Sequence, residues 1–268
     1  MPFFNLCPDD PLVKTLQSVF NANIVRIPEA RIQPFTAIAL TKGKPRFWGA
    51  LGALLEGPVA TDSLTILESR MADVSGKRSK SVDINVGLKI LDGFLSGFGV
   101  PAAGVAANFK GAEKVSFSFQ QVMRYYVAPA EAGAWISGRA LNKQNAATGI
   151  FFDDEAGLML IDSVITSKDF SISVDKSDSL DFALNIPAIE QIIGNAKTSV
   201  KVASGSKLAI SFEGDAPLTF AFTCLNCQID AAGRISLKPS AGNVHFFAPS
   251  AFEHQMIYRQ PGMLEWEE

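Results

Sequence analysis

Short runs of alternating apolar and polar residues dominate the chain from residue 81 onward. In SVDINVGL (81–88) and KVSFSFQQV (114–122), nearly every second residue is apolar. The alternation returns in DFSISVD (169–175) and DSLDFALNI (178–186), with a turn at 176–178 between them. Successive side chains of a strand point to opposite faces, so this period of two predicts strands with one buried face. We expect the last two runs to pair as a hairpin.

Two later runs, KLAISF (207–212) and PLTFAF (217–222), predict another hairpin, which turns through residues 214–217. Apolar residues with helical spacing follow Pro187 and predict a helix that ends near Ala196. Strands that are neighbours in sequence, with helices between them, predict an α+β fold with a twisted, largely antiparallel sheet and surrounding helices.

The first 55 residues carry two apolar stripes with helical spacing. Residues 12–20 predict a short amphipathic helix, and FWGALGALL (47–55) places Trp48 and its leucines on one predicted helical face. Apolar runs at 24–27 and 32–41 predict strands between them. Packing in the core is the ordinary explanation of both stripes.

Composition excludes some classes of protein. The chain has 268 residues, of which 47% are hydrophobic, so it has ample material for a core. Three cysteines are too few for a disulfide framework and fit a reducing compartment. The sequence contains no run of 18 uncharged apolar residues, so it predicts no membrane-spanning helix.

Candidate chemistry is sparse. The two histidines, His245 and His254, have no nucleophile near them in sequence, and no phosphate-binding or dinucleotide motif is present. The pair Cys224 and Cys227 has the spacing of a redox or zinc site, but no second pair accompanies it, so we interpret both as core thiols. We therefore expect no enzyme, no metal site and no nucleic-acid partner.

Charge divides the chain into unequal halves. Residues 1–130 carry 14 Lys and Arg against 10 Asp and Glu, a net charge of +4, whereas residues 131–268 carry 10 against 17, a net charge of −7. A cationic front half favours contact with an anionic partner such as a lipid surface.

A lone cysteine lies in an apolar setting at the start of the chain. Phe3, Phe4 and Leu6 surround Cys7, yet the segment lacks the cationic start and apolar core of a secretory signal. From the residues alone, Cys7 is a core thiol, a reactive thiol or an acylated one.

Two blocks, about 81–122 and 157–186, each offer two segments able to form a hairpin. A transmembrane strand needs only ~9–11 residues with alternating polarity. Residues 93–109 would be a helix or a compact loop in a soluble state and would extend into strand later. An ordinary half-buried sheet is the alternative. The candidates for lipid-facing positions are Val115, Phe117, Phe119, Ile172, Val174, Phe182 and Leu184.

The order of these features resembles the bacterial gasdermin family. An amphipathic helix is followed by IVRIPEARIQPF (24–35), FWGALGALL, a basic loop at 75–81, the two strand blocks and an aromatic tail. The resemblance implies a cytoplasmic monomer with a pore-forming body, residues 1–238, and a short inhibitory segment, residues 239–268.

The resemblance also implies how such a protein acts. A protease removes the inhibitory segment, and the freed body oligomerises into a large transmembrane β-barrel in the inner membrane. The pore kills the cell and so serves in antiphage defence. The resemblance further implies a palmitoyl group on Cys7, with Phe3, Phe4 and Leu6 at the mouth of an acyl pocket. No other cofactor is expected.

The segment beyond residue 238 predicts the site of cleavage. Small residues at 240–242 precede an aromatic tail, so we expect the cut within about 238–252. The candidate positions are Lys238, Gly242, Asn243, Val244 and Phe247. The expected partners are the activating protease, anionic membrane lipid and further copies of the chain. A soluble lipid- or ligand-binding module, or an interaction protein that grips a partner with its tail, remains the alternative.

Overall fold

A computed structural model describes the chain over residues 22–41, 44–57, 64–72, 74–76, 78–79, 81–153, 156–178, 181–196 and 198–237. The strands are β1 (Asn23–Glu29), β2 (Thr36–Thr41), β3 (Lys44–Ala50), β4 (Leu67–Arg70), β5 (Val82–Asp83), β6 (Ala112–Gln120), β7 (Met123–Tyr126), β8 (Ala156–Ser177), β9 (Lys201–Ser206), β10 (Ala209–Ile229) and β11 (Ile235–Leu237). The helices are α1 (Ile84–Gly97), α2 (Ala102–Ala106), α3 (Pro129–Ile136) and α4 (Ile186–Asn195).

Two long antiparallel strands, β8 and β10, form the centre of the sheet. The outer edge of β8 pairs in turn with β2, β7 and β6, and the outer edge of β10 pairs with β9, β1 and β11. The strands β3, β4 and β5 extend the sheet beyond β2, β7 and β6. All these pairings are antiparallel, which confirms the predicted α+β fold with a largely antiparallel sheet.

The buried apolar residues in the described part of the chain form three clusters on the two faces of this sheet. Leu158 and Leu160 of β8 belong to one cluster, which α3 covers, whereas Met159 and Ile161 belong to another. Since successive residues of a strand face opposite ways, these two clusters lie on opposite faces. The largest cluster lies where β6, β8 and β10 meet the helices α1, α2 and α4.

The hairpin predicted through residues 214–217 is wrong. Residues 209–229 form one strand, β10, and the hairpin partner of its first part is β9. The register against β8 shifts between Glu213 and Leu218, so Gly214–Pro217 form a bulge rather than a turn. Lys168 Nζ of β8 donates a hydrogen bond of 2.8 Å to Glu213 Oε1 at this bulge. That bond lowers the pKa of the Glu213 carboxyl.

The alternating run at 81–88 is mostly helix, contrary to the prediction. Only Val82–Asp83 is strand, and α1 begins at Ile84. The backbone N–H of Asn85 donates to the Asp83 side chain at 2.9 Å, which is the hydrogen bond of a helix N-cap. The buried face of α1 includes Ile90, Leu91, Phe94 and Leu95, at helical spacing. The alternation over residues 81–88 predicted a strand, whereas the helical spacing becomes visible only beyond residue 88.

The run at 178–186 does not pair with the strand before it. Both edges of β8 are already occupied over residues 169–173, by β6 on one side and β10 on the other. Residues 182–185 therefore lie outside the sheet and lead into α4, where the Ala188 N–H donates to the Asn185 side chain at 3.2 Å. The predicted helix at 187–196 is confirmed within one residue at each end.

The apolar segment at 47–55 is not one helix. Its first residues complete β3, and a single 3₁₀ turn over Leu51–Leu54 buries both of its leucines. The register of β3 against β2 shifts between Ala37 and Ile38, and Gly49 has a φ of 99°. Pairing with β2 therefore decides this segment, as tertiary context often overrides a local pattern.

Candidate membrane-inserting region

One face of the β6–β8 pair collects most of the residues predicted to face lipid. Val115 pairs with Val174, Phe117 with Ile172, and Phe119 with Phe170. All six side chains are buried in the largest core cluster. Val115, Phe117 and Phe119 of β6 therefore share a buried face with Ile172 and Val174 of β8, and that this face meets lipid stays a prediction.

The remaining two candidates reach the same cluster by another route. Phe182 and Leu184 lie in the connection between β8 and α4, not on a strand. Leu184 is buried and Phe182 is partly buried against the same core. The Leu184 N–H donates to the Lys207 carbonyl at 2.9 Å, which ties this connection to the turn between β9 and β10.

The opposite face of the same strands is polar. Ser116 pairs with Ser173 and Ser118 with Ser171, so each apolar pair on one face alternates with a serine pair on the other. Arg78 forms an ion pair with Asp175 on this side, and Ser116 Oγ donates to Asp175 Oδ2 at 2.6 Å. Strands that separate lipid from water have this division into an apolar and a polar face.

Three helices cover the apolar face. The residues that they and their connections contribute to the cluster include Ile90, Leu91, Phe94, Leu95, Ala102, Val105, Phe109, Ile189 and Ile193. Gly87 allows α1 to lie close to the sheet, because a Cβ there would overlap Cγ2 of Val115. The helices α1, α2 and α4 are thus the cover of the face that the sequence predicted to meet lipid, and α1 and α2 are the two that precede β6.

An aromatic cluster occupies the centre of this contact. Phe170 is fully buried, and its ring centroid lies 5.2 Å from that of Phe94 in α1 and 5.3 Å from that of Phe119. The rings of Phe119 and Phe220 stack at 4.5 Å, which extends the cluster onto β10. Phe94, Phe170 and Phe220 were not among the predicted site residues. Phe170 shares the alternation of Ile172 and Val174 and was detectable from it, whereas Phe94 required the correct helix.

The two cysteines at 224 and 227 do not form a site together. Cys224 packs in one cluster and Cys227 in another, on opposite sides of β10. Burial raises the pKa of the Cys224 thiol well above its usual range and raises that of Cys227 to about 12. Their interpretation as core thiols is confirmed.

Several predicted positions lie outside the described residues. These are the lipidation site with its neighbours and the cleavage region: Cys7, Phe3, Phe4, Leu6, Lys238, Gly242, Asn243, Val244 and Phe247. Over the part of the chain that the structure describes, no helix is long and apolar enough to cross a bilayer, and no cluster of three metal-ligating side chains is found.

Comparisons with known proteins place this fold. The chain is 26% identical over 235 residues to the Gasdermin bGSDM of Vitiosangium sp., a match that covers 88% of this chain and 86% of that protein. It is 29% identical over 237 residues to the Gasdermin bGSDM of a Desulfuromonadales bacterium, with 86% of each covered. The solved structure of a bacterial gasdermin from Bradyrhizobium tropiciagri superposes with a TM-score of 0.58 at 15% identity, over 88% of this chain and 94% of that one.

The family assignment rests on the match that spans most of the described body. The family model of the Bacterial Gasdermin Family matches residues 25–234. This interval begins within β1 and ends directly before β11, and it includes β6, β8 and the helices that cover them. The predicted resemblance is confirmed, and the chain belongs to the Bacterial Gasdermin Family.

Proposed function

We propose that this chain is a pore-forming effector of bacterial cell death in antiphage defence. At rest it is a cytoplasmic monomer, and a protease activates it by removing the C-terminal segment. The freed body then oligomerises into a β-barrel pore in the inner membrane. The observation that carries the proposal is the two-faced β6–β8 pair, whose apolar face lies beneath helices, in a chain of the gasdermin family.

The dimensions of these strands suit a bilayer. The strand β6 has nine residues, and it pairs along its length with residues 169–177 of β8. A membrane strand needs ~9–11 residues, so no large extension of this pair is required. In this proposal the segment between β5 and β6, now α1 and α2, extends into strand to complete the first hairpin.

Exchanging helices for lipid keeps the apolar face out of water. Full burial of a Phe or Ile side chain is worth about 1.5–3 kcal/mol relative to water. If lipid acyl chains replace α1 as the cover of Phe117, Phe119 and Ile172, these side chains stay out of water. They then keep most of the free energy of their burial. The transition therefore costs much less free energy at a membrane surface than in solution.

The tail is proposed as the element that prevents this exchange at rest. Residues 239–268 combine many large apolar side chains, six of them aromatic or isoleucine, with four glutamates and one arginine, a net charge of −3 with both histidines neutral. The front half carries +4, and a cationic segment near a membrane gains about 1 kcal/mol per basic residue from anionic lipid. Removal of an acidic tail would strengthen that attraction.

A palmitoyl group on Cys7 is a further part of the proposal. Its burial would contribute at most ~11 kcal/mol, at ~0.8 kcal/mol for each of ~14 methylenes, before the loss of chain entropy. That free energy would stabilise the resting state while the chain is buried. Once exposed, the same acyl chain would favour the membrane.

Expression in bacteria tests the proposal. Full-length protein should be tolerated, whereas a chain that ends between residues 238 and 252 should stop growth and make the inner membrane permeable to a dye that intact cells exclude. A truncated chain that is folded, abundant and harmless would contradict it and favour a soluble lipid- or ligand-binding module. Detection of the full-length chain at comparable abundance controls for expression.

A further inference from the structure

The C-terminal end of α1 is fixed by its own hydrogen bonds. The Gly99 N–H donates to the Ser96 carbonyl and the Val100 N–H to the Leu95 carbonyl, both at 2.9 Å. Gly99 has a φ of 74°, and these two bonds together make a Schellman motif. The backbone of Phe98, which directly precedes Gly99, is therefore fixed at the helix end.

The ring of Phe98 lies against a glycine of the central sheet. A Cβ on Gly214 of β10 would overlap Cε1 and Cζ of Phe98 and would lie 2.8 Å from its Cδ1. Gly214 does not have a positive φ, so its backbone would accept alanine without strain. The missing side chain at this position thus makes room for the ring, which also packs 5.1 Å from that of Phe94.

The neighbouring residue of α1 is enclosed from another direction. A Cβ on Gly97 would lie 2.5 Å from the Pro28 carbonyl oxygen in β1 and 2.7 Å from Leu218 Cδ1 in β10. Gly214 is the first residue of the β10 bulge, and Leu218 is the residue directly after it. The bulge therefore receives the end of α1, with Phe98 on one side and Gly97 on the other.

We propose that these contacts form a clasp that sets how readily α1 leaves the apolar face. The clasp consists of Gly97, the last residue of α1, and Phe98, its C-cap, with Pro28, Gly214 and Leu218 on the sheet. The other end of α1 continues directly from β5, whereas this end is followed by the short connection 98–101 and by α2. Opening of the clasp frees α1 and α2 together. The consequence for pore formation rests on the proposed function, but the local opening does not.

Gly214→Ala is the sharpest variant, because the overlapping atoms belong to a ring that is only partly buried and can rotate away. Hydrogen–deuterium exchange on the full-length protein measures the opening of residues 84–97. We expect exchange there to be about tenfold faster than in wild type, with unchanged protection in β2. Gly205→Ala, which meets no atom within 4 Å, is the matched control and should match wild type.

Phe98→Ala removes the ring instead of expelling it and should give the same faster exchange. In the Phe98→Ala background, adding Gly214→Ala should change little, because the overlap no longer exists. Wild-type exchange of α1 in both single variants, or additive effects in the double variant, would overturn the clasp. If Gly214→Ala fails to fold, Phe98→Ala against Gly205→Ala still decides the question.

Dye release from anionic vesicles separates this inference from the proposed function. Full-length chains with one inserted protease site within 238–252 are cut in the presence of vesicles. Gly214→Ala and Phe98→Ala should release dye several-fold faster than Gly205→Ala. Unchanged release rates would contradict the proposal that the clasp limits how readily α1 leaves the apolar face. Faster exchange in α1 with no release from any cut chain would refute the proposed function and leave the clasp as a structural contact.

Discussion

Phe170 lies at the centre of the contact between α1 and the apolar face of the β6–β8 pair. Its ring is fully buried and lies within 6.1 Å, between centroids, of those of Phe94, Phe117 and Phe119. It therefore joins α1 to the two strands that the helix covers. Aromatic pairs of this kind add stability beyond the area that they bury.

We expect Phe170→Ala to lower the free energy of unfolding by about 3–5 kcal/mol, because it removes a large side chain and leaves a cavity. Urea denaturation followed by tryptophan fluorescence measures the change. Ser171→Ala, the neighbour on the polar face, should stay within about 0.5 kcal/mol of wild type. Similar losses in the two variants would contradict the assignment of faces.

The burial of Cys224 and Cys227 allows the modification of Cys7 to be measured separately in the native protein. Burial raises the pKa of Cys224 and that of Cys227, so both remain protonated near neutral pH, and the thiolate is the reactive form. Native full-length protein should therefore show no maleimide labelling at either position. Labelling at Cys7 should appear only after hydroxylamine, with loss of a fatty-acyl mass.

Cys7→Ala controls for that measurement, because it should show neither the added mass nor the hydroxylamine-dependent label. An unmodified intact mass, together with labelling at Cys7 before hydroxylamine, would exclude acylation. Labelling at Cys224 or Cys227 in the folded protein would contradict their burial.

Among the elements, the alternation of polar and apolar residues predicted β6 and the part of β8 that pairs with it, the two strands that are proposed to enter the membrane. The face of β6 was predictable because apolar residues and serines alternate from Val115 to Phe119. The helix α1 was not, because its first residues alternate as a strand does, and only Asp83 with the apolar residues from Ile90 onward indicates the helix.

The bulge in β10 shows a different limit. Gly214 and Pro217 are ordinary turn residues, and their sequence predicts a chain reversal. Whether such a segment turns or bulges depends on whether a partner strand continues past it, and β8 does so. Pairing with β8, which is distant in sequence, makes residues 214–217 a bulge instead of a turn. The residues next to them carry no signal of that pairing.

The second predicted hairpin can be tested at a position that the resting fold tolerates. Phe182 is only partly buried at rest, yet it is a predicted lipid-facing residue. A charge on the lipid side of a membrane strand costs about 2–4 kcal/mol near the bilayer centre, so Phe182→Asp should abolish dye release by the cut protein. The measurement is dye release, with circular dichroism to verify folding.

Ala183→Asp provides the comparison for Phe182→Asp. Ala183 is exposed at rest and falls on the opposite side of the same alternation, so its aspartate should face water in the pore and leave release largely intact. Equal loss of release in both variants would argue that residues 178–186 do not become a membrane strand.

Across the whole molecule, charge and concealed apolar surface are proposed to act together. Lys89, Lys110 and Lys114 are exposed on α1 and around the start of β6, close to the region that would enter lipid. We expect the cut protein to bind vesicles that contain anionic lipid more strongly than neutral ones, and added salt to weaken binding because it screens exposed charge. Vesicle sedimentation at about 0.1 and 0.5 M salt measures this. Salt-independent binding, equal for both lipids, would contradict it.

Release of the tail is proposed to let the face beneath α1 and α2 enter lipid. The most direct test of this proposal uses purified full-length protein with one protease site within 238–252, mixed with anionic vesicles that hold a self-quenched dye. We expect no dye release before cutting and rapid release after it, and we expect Phe182→Asp to abolish that release. Release by the uncut protein, or none after complete cutting of a folded chain, would show that the tail does not control insertion.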